Sequence, residues 1–123
     1  MSGCRLLDMW NQQHSFMKLL QERRGFPDFP VDVTSKQGQQ FLKSITFNVV
    51  EELIEANQLL KNSKSHRATE VPEFDRERYV EELCDGLHFL FEVAIASGIT
   101  MDELHAAYMA KGRINTMRIE GDY

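Results

Sequence analysis

The sequence predicts an all-α fold, built as a four-helix bundle-like unit, and three observations lead to this prediction. Apolar residues recur with helical spacing over four long segments. No stretch alternates between apolar and polar residues over a useful length, as a half-buried strand would. The three prolines fall in two short stretches, where they forbid helix continuation.

The first two helices are separated by a loop that contains prolines. We expect the first helix over about residues 4–24, with Gly25 as the residue that stops it. Pro27 and Pro30 then keep the chain out of helical conformation. The second helix is expected over about residues 35–61.

The last two helices are joined by a short turn at Gly98. The third helix is predicted over about residues 75–97, and its sequence is apolar nearly all round, which is typical of a helix buried by several neighbours. Thr100 and Glu103 then have the spacing of a capping box, in which each side chain satisfies a free backbone N–H. The fourth helix is therefore expected to start there and to reach Lys111, with an end at Arg118 as the alternative.

Length and composition indicate one soluble domain over residues 1–123. The chain has 42% apolar and 27% charged residues, and no apolar run approaches the length of a membrane span or a signal-peptide core. We therefore expect a cytoplasmic protein, in the host cytoplasm if it is encoded by a virus. A net charge of −5 argues against coating of nucleic acid and suits carboxylates gathered around cations. Of the two cysteines, Cys84 lies in an apolar run and is expected to be buried.

The second helix carries glutamates on its apolar side. With Ile45 as reference, Glu52 lies inside the apolar arc, Glu55 and Asn48 flank it, and Glu51 is at its margin. An ionised carboxylate in such a position costs several kcal/mol unless a cation or hydrogen-bond donors meet it. Glu52 therefore needs a partner.

The third helix carries a matching acidic pair. Glu82 and Asp85 have the same i, i+3 spacing as Glu52 and Glu55, so each pair projects from one side of its helix. On antiparallel neighbours the two pairs would converge into an all-oxygen site suited to Mg²⁺ or Mn²⁺, with two or more ions per site. The alternative is that each pair is ordinary solvated helix surface.

The fourth helix has a ridge that begins apolar and becomes cationic. Its members recur at helical spacing: Leu104, Tyr108, Lys111, Asn115 and Arg118. The cationic half, with Lys111 and Arg118, could bind an anionic ligand. The alternative is a basic helix end that complements its own dipole.

Two sequence motifs resemble a known family. The segment EELIE (51–55), 26 intervening residues and ELCD (82–85) resemble the EExxE…ExxD signature of the all-α nucleoside triphosphate pyrophosphohydrolases. That superfamily includes MazG-like proteins, dimeric dUTPases and phage dCTP/dUTP pyrophosphatases. Residues 82–123 also resemble the C-terminal part of the dUTPase/dCTPase branch, although Asp122 interrupts its final Gly-Tyr pair.

The resemblance implies an enzyme that hydrolyses a dNTP to dNMP and pyrophosphate by attack of water at the α-phosphate. It assigns metal ligation to Glu52, Glu55, Glu82 and Asp85. Glu51 would support these ligands or take a proton from the water. The triphosphate would be held by Lys111, Asn115, Arg118 and Tyr123. The C-terminal match favours dUTP or dCTP as substrate, whereas the short chain resembles MazG-like members that take purine dNTPs.

The base pocket and the oligomer are further expectations. Candidate base- or sugar-binding residues are Trp10, Gln13, His14, Phe16 and Asn48. The alternative for the aromatic residues is core packing, and for His14 it is a surface position. Because the third helix is so apolar, we expect a homodimer or a dimer of dimers. A different class of function also remains open, in which the protein is a non-catalytic helical interaction module.

Overall fold

Four α-helices make up the regular structure of the described residues. The computed structural model describes residues 4–61, 64–68 and 70–121, and no strand occurs within those ranges. The helices are α1 (Arg5–Arg24), α2 (Lys36–Asn57), α3 (Arg76–Ala96) and α4 (Met101–Glu120). The prediction of an all-α fold is therefore confirmed.

Side-chain caps start the helices close to the predicted positions. The Ser35 hydroxyl accepts a hydrogen bond from the Gly38 amide at 2.9 Å and begins α2. Thr100 and Glu103 form the predicted capping box at the start of α4. Gly25 ends α1 in the left-handed conformation, with φ of 67°.

The predicted end of α2 is wrong. The helix ends at Asn57 rather than near Lys61. The next residues tighten into a turn, in which the Leu59 and Leu60 amides donate to carbonyls only three residues back. Because Leu59 and Leu60 in this turn continue the apolar spacing of the helix, the sequence pattern does not show where α2 ends.

The helices α2 and α3 form the main packing interface of the molecule. Gly86 on α3 lies against Leu53 and Glu52 on α2. Ile45, two turns earlier on α2, joins a core cluster with residues near the end of α3. The two helices therefore run antiparallel. The buried apolar residues of this cluster are Trp10, Met17, Ile45, Phe91, Ile95 and Ala96.

The first helix packs beside α3 in the parallel direction, over a smaller interface. Leu6 and Leu87 line one cavity, and one turn later the Trp10 ring meets the Phe91 ring edge-on at 5.4 Å. The loop after α1 is held to the end of α3 by a 2.8 Å hydrogen bond from the Val31 amide to the Ala96 carbonyl.

The fourth helix departs from the bundle, with an angle of 112° between α3 and α4. Only Met101 and Leu104, in its first turns, pack against the core, and α4 has no buried residue. The predicted four-helix bundle-like arrangement thus describes the first three helices. No single helix of the described chain is long and apolar enough to cross a membrane, and α3 with α4 meets that test only as a bent pair.

Two burial expectations for α3 are wrong within one chain. Cys84 is exposed rather than buried. Leu83 and Leu90 are also largely exposed, so α3 is not surrounded on all sides. The other described helices therefore leave part of the α3 surface uncovered. This uncovered face is a property of the tertiary arrangement, which apolar content alone does not reveal.

Candidate metal centre between the second and third helices

Three of the predicted carboxylates meet at one place. Glu52 from α2 and Glu82 and Asp85 from α3 each offer an oxygen, and these oxygens all lie within 4.8 Å of one another. Glu55, one turn after Glu52, is exposed and interacts with both Glu52 and Glu82. The four acids are called the acidic cluster below.

Gly86 allows the two helices to approach closely at the acidic cluster. A Cβ atom at this position would lie 3.1 Å from Leu53 Cδ2 and 3.9 Å from Glu52 Cβ. A larger side chain beside Asp85 would therefore push α2 away from α3. Gly86 thus holds the carboxylates of the two helices within reach of one ion.

The electrostatics of the acidic cluster favour proton uptake when no cation is present. Burial raises the pKa of Glu52 to about 7, helped by the hydrogen bond and charge of Glu55 and by the neighbouring Glu82 and Asp85. Contact with Glu55 and burial also raise the pKa of Glu82. A divalent cation would therefore compete with protons for these acids.

One oxygen of the acidic cluster has no hydrogen-bond partner. Glu82 Oε2 is buried and unpaired within the described part of the chain. Its sister atom Oε1 lies 4.0 Å from Nε of Arg78, whose side chain is 64% exposed. A buried unpaired carboxylate oxygen is costly, and a bound divalent cation would satisfy it. The donor set, composed only of carboxylate oxygens from two helices, fits Mg²⁺ or Mn²⁺.

Two further predicted residues of α2 lie beside the acidic cluster. Glu51 is exposed next to Glu52 and does not belong to the group of three converging carboxylates. Asn48 lies half-buried one turn before Glu52 on the same helix. Their proposed roles in proton transfer and in base or sugar binding stay predictions.

The predicted phosphate-binding residues do not meet the acidic cluster within one chain. Lys111, Asn115 and Arg118 are exposed on the part of α4 that extends beyond the core. Among the described residues, no hydrogen bond or ion pair joins them to the acidic cluster. Tyr123 lies outside the described residues.

The predicted base-binding residues of α1 divide into two groups. Trp10 and Gln13 are both buried. The Trp10 ring packs against Phe91 of α3, so the core-packing alternative applies to Trp10. His14 and Phe16 are exposed. The His14 ring meets the Phe29 ring edge-on at 5.2 Å and belongs to a different flank of α1 from Gln13.

Two residues of α3 were missed at the level of sequence. Gly86 sets the helix spacing, and its signal was a glycine in the middle of a helix directly after a candidate ligand. Glu92 is buried although it is acidic. Its signal was a single carboxylate inside a long apolar run, which is rare unless the acid has a partner or a function.

Comparisons with other proteins do not add to this geometry. No protein-family model, curated protein or solved structure matches the chain. A proposal for function therefore depends on the arrangement of the acidic cluster and on the motif resemblance of residues 51–55 and 82–123.

Proposed function

We propose that the chain is a metal-dependent nucleoside triphosphate pyrophosphohydrolase of the MazG-like all-α type. In this proposal a dNTP and water give dNMP and pyrophosphate, with dUTP or dCTP as the first candidate substrate. The observation that carries the proposal is the convergence of Glu52, Glu82 and Asp85 within 4.8 Å, with one buried oxygen lacking a partner.

The composition of the acidic cluster supports phosphate chemistry. Four acids in one place repel a triphosphate, so the nucleotide can bind only together with divalent cations. The cations would be held by Glu52, Glu55, Glu82 and Asp85. When bound, Mg²⁺ or Mn²⁺ neutralises phosphate charge and lowers the pKa of water.

The remaining roles belong to side chains of the protein. Glu51 is exposed beside the acidic cluster and could accept the proton of the attacking water. Lys111 and Arg118 would stabilise the negative charge of the pyrophosphate as it leaves. No covalent intermediate is required, because the nucleophile is water. The reaction belongs to the hydrolases that act on acid anhydrides.

The experiment is a pyrophosphate-release assay across eight NTPs and dNTPs, with Mg²⁺ or Mn²⁺ and a coupled inorganic pyrophosphatase. We expect one or a few dNTPs to be hydrolysed only with the metal. Glu52→Ala should abolish the release, whereas Glu81→Ala, an exposed acid on α3, should not. Absence of turnover for all eight substrates with both metals would exclude the enzyme.

A purine-specific enzyme is tested by the same screen. MazG-like proteins of short length include hydrolases of purine dNTPs. A preference for dGTP or dATP would therefore leave the proposed reaction unchanged and would replace dUTP or dCTP as the substrate. The preference among bases is therefore read separately from the presence of activity.

A second candidate is a non-catalytic helical interaction module. The exposed apolar side chains of α4 favour it, since Tyr108 and Ile119 are 75% and 78% exposed. In that case the acidic cluster would bind a regulatory cation or only join two helices. Metal-dependent stabilisation without turnover of any nucleotide would identify this candidate.

A further inference from the structure

An arginine in the first turn of α3 lies beside the acidic cluster. Within the described residues, the one ion pair of the cluster joins Oε1 of Glu82 to Nε of Arg78, at 4.0 Å. Arg78 is one helical turn before Glu82 on the same side of α3. Its side chain is 64% exposed, whereas that of Glu82 is 15% exposed. Arg78 therefore lies on the solvent side of a predicted metal ligand.

The guanidinium group of Arg78 is not fixed by its contact with Glu82. The separation of 4.0 Å is too long for a hydrogen bond, in which the heavy atoms are about 2.9 Å apart. Among the described residues, the Arg78 side chain donates no hydrogen bond, and only its backbone amide is bonded, to Asp75 at 3.1 Å. An exposed ion pair of this kind contributes little to stability. The N–H donors of the guanidinium group are thus available to a ligand.

The stability of α3 does not account for a cation at this position. The first turn of a helix favours acids, because its free backbone N–H groups carry partial positive charge. Asp75 and Glu77 satisfy this preference, whereas Arg76 and Arg78 oppose it. The two arginines are about 160° apart around the helix, and Arg78 is the one that pairs with the acidic cluster. Arg76 is therefore a matched control for the charge of this turn.

The second helix leaves the side of Arg78 open. Leu53 of α2 lies against Gly86 of the antiparallel α3, and α2 ends at Asn57. Asn57 is as far from Leu53 along α2 as Glu82 is from Gly86 along α3, so α2 ends about level with Glu82. Arg78 is one turn beyond this level, in agreement with its exposed side chain. A ligand can therefore reach the cluster from this end without displacing a helix.

Arg78 would lose its partner once Glu82 coordinates a cation. The charge of Glu82 would then be shared with the ion, and the attraction for the guanidinium group would weaken. Two ligands of one Mg²⁺ ion lie within about 4.2 Å of each other, because each is about 2.1 Å from the ion. A phosphate oxygen that shares an ion with Glu82 is thus as close to Glu82 as Arg78 already is. Guanidinium groups pair with phosphate through parallel hydrogen bonds.

We propose that Arg78 is a phosphate-binding residue, which pairs with the pyrophosphate part of the metal-bound nucleoside triphosphate at the acidic cluster of its own chain. This inference rests on the proposed function. In that reaction the water oxygen bonds to the α-phosphorus, and the bridging oxygen leaves with its electron pair on pyrophosphate. A guanidinium group beside the leaving group stabilises this developing charge. Lys111 and Arg118 do not meet the cluster within one chain, whereas Arg78 needs no second copy.

The test measures how two probes bind to the unmodified chain and to three variants. Arg78→Ala removes the cation, and Arg78→Lys keeps the charge without the planar guanidinium group. Arg76→Ala removes the exposed arginine of the same turn that lies on another side of α3. The first probe is Mg²⁺ alone, and the second is inorganic pyrophosphate with saturating Mg²⁺. Isothermal titration calorimetry gives both Kd values without turnover.

We expect the two probes to respond differently to the loss of Arg78. Arg78→Ala should bind Mg²⁺ as tightly as the unmodified chain, or up to about threefold more tightly, since a competitor for Glu82 is removed. Its Kd for pyrophosphate should rise about tenfold or more, because charge-assisted hydrogen bonds are lost. Arg78→Lys should lie between these chains, and Arg76→Ala should match the unmodified chain for both probes. The kcat/KM for the preferred nucleotide should fall about tenfold or more in Arg78→Ala alone.

The outcomes separate phosphate binding from a structural role. Weaker binding of Mg²⁺ by Arg78→Ala, with an unchanged Kd for pyrophosphate, would overturn the inference, because Arg78 would then only orient Glu82. Equal losses of pyrophosphate affinity in Arg76→Ala and Arg78→Ala would also overturn it, since they would reflect general positive charge. Either result would leave the proposed reaction intact if the unmodified chain hydrolyses a nucleotide. Absence of both hydrolysis and Mg²⁺ binding in the unmodified chain would instead refute the proposed function, and this inference with it.

Discussion

The acidic cluster and the outer part of α4 are opposites in charge and in packing. The cluster lies beside the close approach of α2 and α3 at Gly86, and within the described residues its one ion pair is with the exposed Arg78. The outer part of α4 carries exposed Lys111 and Arg118 together with exposed apolar side chains. Each region has the charge that the other lacks, yet the two regions do not meet within one chain.

The difference shows which elements are complete in a single chain. Tertiary contacts hold the acidic cluster in place, whereas most of α4 is held only by its own backbone hydrogen bonds and its cap. Such local interactions stabilise an isolated helix only marginally. A helix that exposes Met117 and Ile119 is expected to bury them against another molecule. We therefore propose that α4 packs against a second copy of the chain, in a homodimer or a dimer of dimers.

The largest expected effect concerns the acidic cluster. Glu82→Gln should reduce metal-dependent pyrophosphate release by about a hundredfold or more, because a charged ligand is lost. The same change should raise the Tm of the metal-free protein, since it removes one of the mutually repelling acids. Glu81→Gln is the matched control on the same helix. Activity of Glu82→Gln within threefold of the unmodified chain would contradict the metal site.

A subunit-mixing experiment tests whether α4 serves the acidic cluster of a second copy. Glu52→Gln and Arg118→Ala should each be inactive alone. After denaturation and refolding together, mixed dimers would contain one intact cluster facing one intact α4, and activity should return to about a quarter of the unmodified level. Absence of recovery, with mixed dimers present by native mass spectrometry, would mean that α4 acts on its own chain or not at all.

The close approach at Gly86 is tested by adding a side chain there. Gly86→Val should destabilise the fold by about 2 kcal/mol, because its methyl groups overlap with Leu53. Affinity for Mg²⁺ should fall as α2 is pushed away from α3. The matched control is Gly112→Val on α4, where a Cβ would meet nothing within 4 Å. Equal melting temperatures for the two variants would refute this account of the helix spacing.

The smallest expected effect is a pH dependence. The Glu52 pKa is raised to about 7, so the metal-free fold binds a proton that the unfolded chain releases near its ordinary pKa of 4.5. Stability without metal should therefore fall as pH rises from about 4.5 through about 7 and then level off. Affinity for Mg²⁺ should rise over the same range, since the cation competes with protons. Calorimetry with and without Mg²⁺ checks both trends, and Glu52→Gln should weaken them.

Much of the secondary structure was predictable because its signals are local. The Thr100–Glu103 capping box and the stop at Gly25 each involve residues within one turn of a helix. The i, i+3 pairs of acids were readable for the same reason, and helical spacing correctly indicated that each pair lies on one side of its helix. The end of α2 was misjudged, since the turn that follows it continues the apolar spacing.

By itself, the sequence determined four helices, their caps and the presence of two acidic pairs, because these depend on neighbours within a few residues. Only the tertiary structure decided that the acids converge, that Gly86 sets their spacing and that Glu92 is buried. It also decided that Cys84 is exposed. Distances between helices arise from packing among residues far apart in the chain, and the spacing of residues along one helix carries no information about them.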